Sequence, residues 1–347
     1  MSKMIKAFKL HGPGDLRLEE VEKPKPDENE ALVRIKSVGV CGSDVHYYRL
    51  GRIGPFVVEK PMILGHECSG EVVEVGRQVP HLQAGDRVVI EPGIPCRKCW
   101  YCRNGRYNKC PSIKFMATPP YDGALVEYVA WPADYLFKMP DSMSYQQGAL
   151  VEPFAVGLFA AQRSGIYPGA NVTILGAGPI GLATLESVKA LGASQIIIAD
   201  VIASRLALAK QMGASQVINP KEENLPKRVK ELTNGEGTHF VFETAGTAQT
   251  VRQTVDVVRD GGFVVFIGLP SEAEIPMPMV DAVIREINFI TLFRYSNIFE
   301  EAISLISNNR VNINPLITHK FPFSKAVEAI NFAETAKDRA IKVIINL

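Results

Sequence analysis

The chain has 347 residues, of which 46% are hydrophobic and 22% charged, a globular composition that excludes disorder and fibrous repeats and is long enough for two or three domains. Lys plus Arg number 38 against 37 Asp plus Glu, and a net charge of +1 leaves no field to gather nucleic acid or an anionic membrane surface. No apolar run reaches the ~20 residues that span a bilayer, and the opening MSKMIKAFKL lacks an apolar signal core, so the expected setting is the reducing cytoplasm with no membrane partner.

Proline marks the organisation: 14 of the 23 prolines lie in residues 1–153 and only four in residues 154–269. Proline interrupts helices and central strands, so the composition shifts near residue 154. The first part reads as short strands between turns, in EALVRIKSVGV (30–40), SGEVVEVG (69–76), GDRVVIEPG (85–93) and ALVEYVA (124–130), an all-β, barrel-like pattern. The second part alternates strands with helical stretches: VTIL (172–175), PIGLATLESVKALG, QIIIAD (195–200), SRLALAKQMG, QVIN, HFVFET (239–244) and GGFVVFIGL (261–269). Such alternation implies a parallel sheet with helices on both faces, hence an α/β plus β fold class. After Pro270, NFITLFRY, FEEAISLISNN and IKVIINL are expected first to complete the parallel sheet and then to return to the β-rich part.

Three groups of residues carry chemistry. Cys41-Gly-Ser43-Asp-Val-His46 and Gly65-His66-Glu67 offer a thiolate, an imidazole and a carboxylate, with a further carboxylate at Glu152, and three protein ligands plus water make a usual catalytic zinc site. Taken singly, Cys41 reads as a small buried hydrophobe, His66 as a core histidine and Glu67 as an arginine's partner. Cys96, Cys99, Cys102 and Cys110 supply four thiolates, enough to close a tetrahedral structural zinc site; an iron–sulfur cluster is the alternative. The basic neighbours of this lobe invite a nucleic-acid reading, but the spacing lacks a finger's paired histidines. Gly176-Ala-Gly178-Pro-Ile-Gly181 follows a strand and opens a helix, and Asp200 ends the next strand, where a carboxylate accepts from the adenosine ribose and repels a 2′-phosphate. The pattern implies NAD rather than NADP.

These motifs, with GRIG (51–54), EKPMILGHECSG (59–70), KFMATPPYDGALVEY (114–128), ALVEPFAVG (149–157), ETAG (243–246) and FRYSN (293–297), resemble the zinc-dependent medium-chain dehydrogenases, specifically the polyol branch of sorbitol (L-iditol) and xylitol dehydrogenases. The resemblance covers essentially the whole chain. It implies a GroES-like β-barrel catalytic domain at 1–154 with a structural zinc lobe near 93–112, a Rossmann NAD-binding domain at 155–293, and a return segment at 294–347. It assigns Cys41, His66 and Glu67 to the catalytic zinc, with Glu152 ligating directly or through water, and Ser43, His46 and Glu152 to catalysis. Tyr47, Ile53, Phe115, Glu152, Arg294 and Tyr295 would surround the substrate. Cofactor contacts would come from Gly176, Gly178, Ile180, Gly181, Asp200, Arg205, Ile267, Leu269 and Phe293. Unlike the mammalian sorbitol enzymes, this chain keeps all four lobe cysteines, so two zinc ions per chain are expected. The implied reaction is reversible NAD-linked oxidation of a secondary hydroxyl of a linear polyol to a ketose, by a homotetramer. The alternatives are an L-threonine or simple secondary-alcohol dehydrogenase and, in another class, a non-catalytic NAD-binding interaction protein.

Overall fold

The computed structural model describes residues 3–347. The chain divides into two compact units: Met1–Glu152 with Phe299–Asn308 and Ile317–Leu347, and Pro153–Ile298 with Asn309–Leu316. In contact terms, residues 294–298 and 309–316 thus group with the second unit.

The first unit is built on a seven-stranded sheet. Its strands run in the order Leu136–Lys138, Arg87–Ile90, Glu67–Val75, Glu30–Gly39, Lys342–Asn346 and Ile317–Pro322, with Tyr128–Pro132 also paired to Glu30–Gly39. Glu30–Gly39 is buried along most of its length, because its apolar side chains alternate little and both of its faces are covered. Register decides what meets here: Gly39 lies opposite Glu67 on one side and Ile344 on the other. Residues from three distant stretches of sequence are thereby stacked across adjacent strands. Phe8, Leu10, Val33, Ile35, Leu64, Ile90, Met116, Leu125, Ile330 and Ile345 belong to the buried core around this sheet.

The second unit carries a six-stranded sheet in the order Gln216–Ile218, Gln195–Ala199, Asn171–Leu175, Thr238–Glu243, Val258–Phe266 and Asn288–Thr291. Every pairing is parallel. The order reverses between Asn171–Leu175 and Thr238–Glu243, and ligands of such sheets bind in the crevice at the carboxyl ends of strands that flank this switch point. Asn288–Thr291 completes the parallel sheet, and Lys342–Asn346 returns to the first unit, as the order of apolar segments implied. The strand expected to run to residue 269 stops at Phe266 instead. There the N–H groups of Ile267 and Gly268 turn aside to the carbonyl of Glu243, at 2.9 and 3.0 Å.

Candidate metal and cofactor sites

Cys41, His66 and Glu67 come together in the first unit, with one ligand atom of each within 4.8 Å of the others. Cys41 precedes the helix Gly42–Leu50, and the site is fixed beneath that helix by Asp44, 2% exposed. The Asp44 carboxylate accepts from the Cys41 N–H and the Gly65 N–H, both at 2.9 Å, tying the loops before the two ligands to one group. His66 Nδ1 lies 3.9 Å from Asp44 Oδ1, and its ring packs 5.7 Å from that of Phe115. Burial pulls the imidazole down, but the Cys41 sulfur and the carboxylates of Asp44 and Glu152 outweigh it and raise His66 to about 10. Such a surplus of buried negative groups is the field a divalent cation would satisfy. One sulfur, one imidazole and one carboxylate fit a zinc ion that keeps a position open.

Glu67 is engaged on a second side. Lys342, 2% exposed, donates to both carboxylate oxygens at 2.6 and 2.8 Å and to the Val40 carbonyl at 3.2 Å. Burial alone would pull the ammonium down; Glu67 overrides it, and the group is raised. Gly39, lying between the two strands, makes the pair possible, since any Cβ there would overlap the Glu67 carboxylate. Neither Gly39 nor Lys342 was singled out from the sequence. The available signal was a lone lysine in the apolar run IKVIINL.

Glu152, 6% exposed, stands in the first turn of the helix Val151–Ser164. It falls outside the 4.8 Å group, yet its charge raises His66, Lys342 and the buried Glu91. Ser43 and His46 occupy one face of Gly42–Leu50, the first half-buried and the second exposed. Tyr47 and Phe115 are buried at 2% and 7%, and Ile53 is half-buried.

The sulfurs of Cys96, Cys99, Cys102 and Cys110 also lie within 4.8 Å of one another, a donor set that fits a closed zinc site. Arg97 adopts a left-handed backbone, φ 61°, and N–H groups of Lys98 and Cys99 point at the Cys96 sulfur and lower its pKa to about 6. Arg97 itself turns away from the thiols: it pairs with Asp134 at 2.6 Å and lies over the Tyr135 ring. Tyr107, between the last two cysteines, donates to Glu91 at 2.7 Å, anchoring the lobe on a carboxyl only 2% exposed.

In the second unit, Gly176 follows the strand Asn171–Leu175 with φ 105°, a conformation that side chains rarely adopt. A Cβ on Gly181 would overlap the Gly176 carbonyl, whereas above Gly178 the nearest atom would be Arg205 Nη1 at 3.7 Å. The turn therefore leaves a cradle at the start of the helix Pro179–Ala190, which suits a pyrophosphate. Asp200 is held at its strand end by the N–H groups of Ala177 and Ile202, at 2.7 and 2.9 Å, with Arg205 3.9 Å away. Ile180 and Ile267 are half-buried, while Leu269 and Phe293 are 70% and 50% exposed. Arg294 has a positive φ of 58° and stacks 4.9 Å over Phe293, and Tyr295 is 3% exposed.

Residues 27–141 match the family model of the alcohol dehydrogenase GroES-like domain, and residues 179–308 match that of the zinc-binding dehydrogenase. The chain is 40% identical over 341 residues to a sorbitol dehydrogenase of Bacillus subtilis, covering 98% of this chain and 97% of the relative. It is 45% identical to the sorbitol dehydrogenase of Bos taurus over 339 residues, 97% of this chain and 94% of the relative. A solved Escherichia coli oxidoreductase of unknown specificity superposes with a TM-score of 0.95 at 40% identity, over 99% of both chains.

Proposed function

We propose, from the premise that the chain belongs to the zinc-dependent medium-chain dehydrogenases, that it oxidises a secondary hydroxyl of a linear polyol to the ketose with NAD, reversibly. The observation that carries this reading is the Cys41–His66–Glu67 cluster, found in a chain 40–45% identical along nearly its whole length to sorbitol dehydrogenases. When bound, zinc would supply a Lewis acid that makes the alcohol more acidic, and NAD the hydride acceptor.

The chain's own residues would do the rest. Cys41, His66 and Glu67 hold the metal, Glu152 joins them directly or through a water, and Lys342 with Asp44 fixes the orientation of the ligands. Ser43 and His46, one half-buried and one exposed on the same helix, give the alcohol proton a route outward. Tyr47, Ile53 and Phe115 exclude water from the reacting carbon. Arg294 and Tyr295 are assigned to the hydroxyls beside it, where a planar guanidinium suits vicinal oxygens. Gly176, Gly178, Ile180, Gly181, Asp200, Arg205, Ile267, Leu269 and Phe293 form the cofactor set. Residues 1–154 with the return segment 294–347 would act as the catalytic domain and 155–293 as the cofactor domain.

Self-association as a homotetramer fits one further observation, while the cytoplasmic setting rests on the sequence alone. Val280, Val283 and Ile284 expose 76%, 70% and 76% of their surface next to the edge strand Asn288–Thr291, a surface suited to self-association. No disulfide joins any of the six cysteines. No helix among the described residues is long and apolar enough to cross a membrane.

The test is NADH formation across sorbitol, xylitol, L-iditol, galactitol, L-threonine and 2-butanol, with wild type and Arg294→Ala. Polyols are expected as preferred substrates. The variant should lose about 10–150-fold in kcat/KM on them, the value of one charged hydrogen bond, and less on 2-butanol. Turnover of L-threonine alone would replace the polyol by an amino alcohol, and no turnover of any substrate would favour a binding protein.

A further inference from the structure

Glu243 is the last residue of the strand Thr238–Glu243, in register with Leu175 across the switch point and with Phe266 on the other side. Its side chain is completely buried. Oε1 accepts three hydrogen bonds, from the N–H groups of Ala245 and Gly246 at 2.9 Å each and from Thr250 Oγ1 at 2.7 Å. Its backbone carbonyl accepts two more, from Ile267 and Gly268. A single residue thus holds the turn after its own strand and the turn after the next one. Glycine makes the two turns touch backbone to backbone: a Cβ on Gly246, φ 65°, would come within 2.9 Å of the Leu269 carbonyl, and one on Gly268 within 2.7 Å of the Gly246 Cα.

The other carboxylate oxygen is anomalous. Oε2 is buried without a hydrogen-bond partner, and a Cβ on Gly268 would sit 2.6 Å from it. An orphaned buried oxygen is a cost that packing alone does not explain, and burial accordingly pushes the carboxyl up. Leu269, at the end of the clamped turn, exposes 70% of its surface. The clamp lies beyond the switch point, in the half of the sheet that binds the second mononucleotide of a dinucleotide.

We propose that Glu243 is a positioning residue for the nicotinamide half of the cofactor site, clamping the turns 244–246 and 267–269 so that Ile267 and Leu269 present a fixed surface to that half. This role presupposes the dinucleotide site proposed above. Glu243 touches no reacting atom; it acts through the turns it holds.

Binding, rather than turnover, tests the role. NADH is titrated by its fluorescence and AMP by calorimetry into wild type, Glu243→Ala, Glu243→Gln and Gly268→Ala. AMP probes only the Gly176–Gly181 turn and Asp200. Glu243→Ala and Gly268→Ala should each raise the NADH Kd by about 10-fold or more while leaving AMP within about twofold. Glu243→Gln keeps an acceptor in the Oε1 position and should stay close to wild type for both. Thr250→Val removes one of the three Oε1 bonds and gives a smaller effect of the same sign if Glu243→Ala does not fold. Equal weakening of AMP and NADH would assign Glu243 to general stability, and unchanged NADH binding would remove its role; either result overturns the proposal. Wild-type protein that binds AMP but not NADH would overturn the nicotinamide role, and protein that binds neither would overturn the dinucleotide reading with it.

Discussion

Cys96, Cys99, Cys102 and Cys110 gather four sulfurs from 15 consecutive residues, whereas Cys41, His66, Glu67 and Lys342 meet only because three strands align in register. The lobe is a local structure whose donors can close on a metal with little help from the core. The other cluster is a tertiary structure, and its carboxylate is shared with a buried ammonium that a metal bound there would have to accommodate. A local site organises itself, while a site built across a sheet inherits the sheet's stability and its charge balance. The lobe should therefore be dispensable to chemistry and the cluster dispensable to the lobe.

Replacing His66 by Ala should separate the two sites most sharply. It removes an imidazole ligand from the three-donor set, and turnover should fall by about 10³-fold or more. The lobe should keep its zinc, as elemental analysis of the same sample would record.

Lys342→Met comes next. It leaves the Glu67 carboxylate, 1% exposed, without its cation, and breaking a buried pair on one side costs about 3–5 kcal/mol. Urea unfolding should show this loss in metal-free protein and a smaller loss in zinc-loaded protein, where the metal takes over the neutralisation. Equal losses in both states would mean that Glu67 does not face the metal.

Glu91 links the two regions, since it accepts from Tyr107 of the lobe and feels the charge of Glu152. Burial raises its pKa to about 7 from an ordinary 4.5. The folded state then holds a proton that the unfolded state has released, so stability is fully present below pH 4.5 and is lost as pH rises through about 7. Glu91→Gln keeps an acceptor for Tyr107 and should be more stable than wild type at pH 8, by up to about 3 kcal/mol, with the gap closing near pH 4.5. Unfolding curves at the two pH values measure it.

Arg97→Met should matter least. Its pair with Asp134 is half-exposed, at 52% and 60%, and such pairs contribute about 1 kcal/mol or less. A Tm shift beyond a few degrees, or loss of the lobe's zinc, would show that the guanidinium supports the thiols after all.

What the sequence made legible follows the same division. The four lobe cysteines could be read as one donor set, because their spacing is the signal. The parallel sheet and its glycine turn were also plain, since strand, turn, helix and acid stand in order between Asn171 and Asp200. Cys41, His66 and Glu67 were legible as residue types, but only the fold brings them within reach of one ion. Gly39 and Lys342 carry no local motif, and the motifs that contain Asp44 and Glu243 do not reveal what those two side chains hold. Their roles arise from register and burial: Gly39 matters because it faces Glu67, and Glu243 because two turns close on it.

The division of labour between the two sites is tested most directly by counting zinc per chain and measuring sorbitol oxidation in the same preparations of wild type, Cys41→Ser and Cys102→Ser. Wild type should hold two zinc ions. Cys41→Ser should hold one, with no turnover and nearly unchanged unfolding. Cys102→Ser should also hold one, with lower thermal stability but with the turnover of its folded fraction largely kept. A Cys41→Ser protein that retains both ions and its activity, or a folded Cys102→Ser protein that loses turnover as completely as Cys41→Ser, would contradict it.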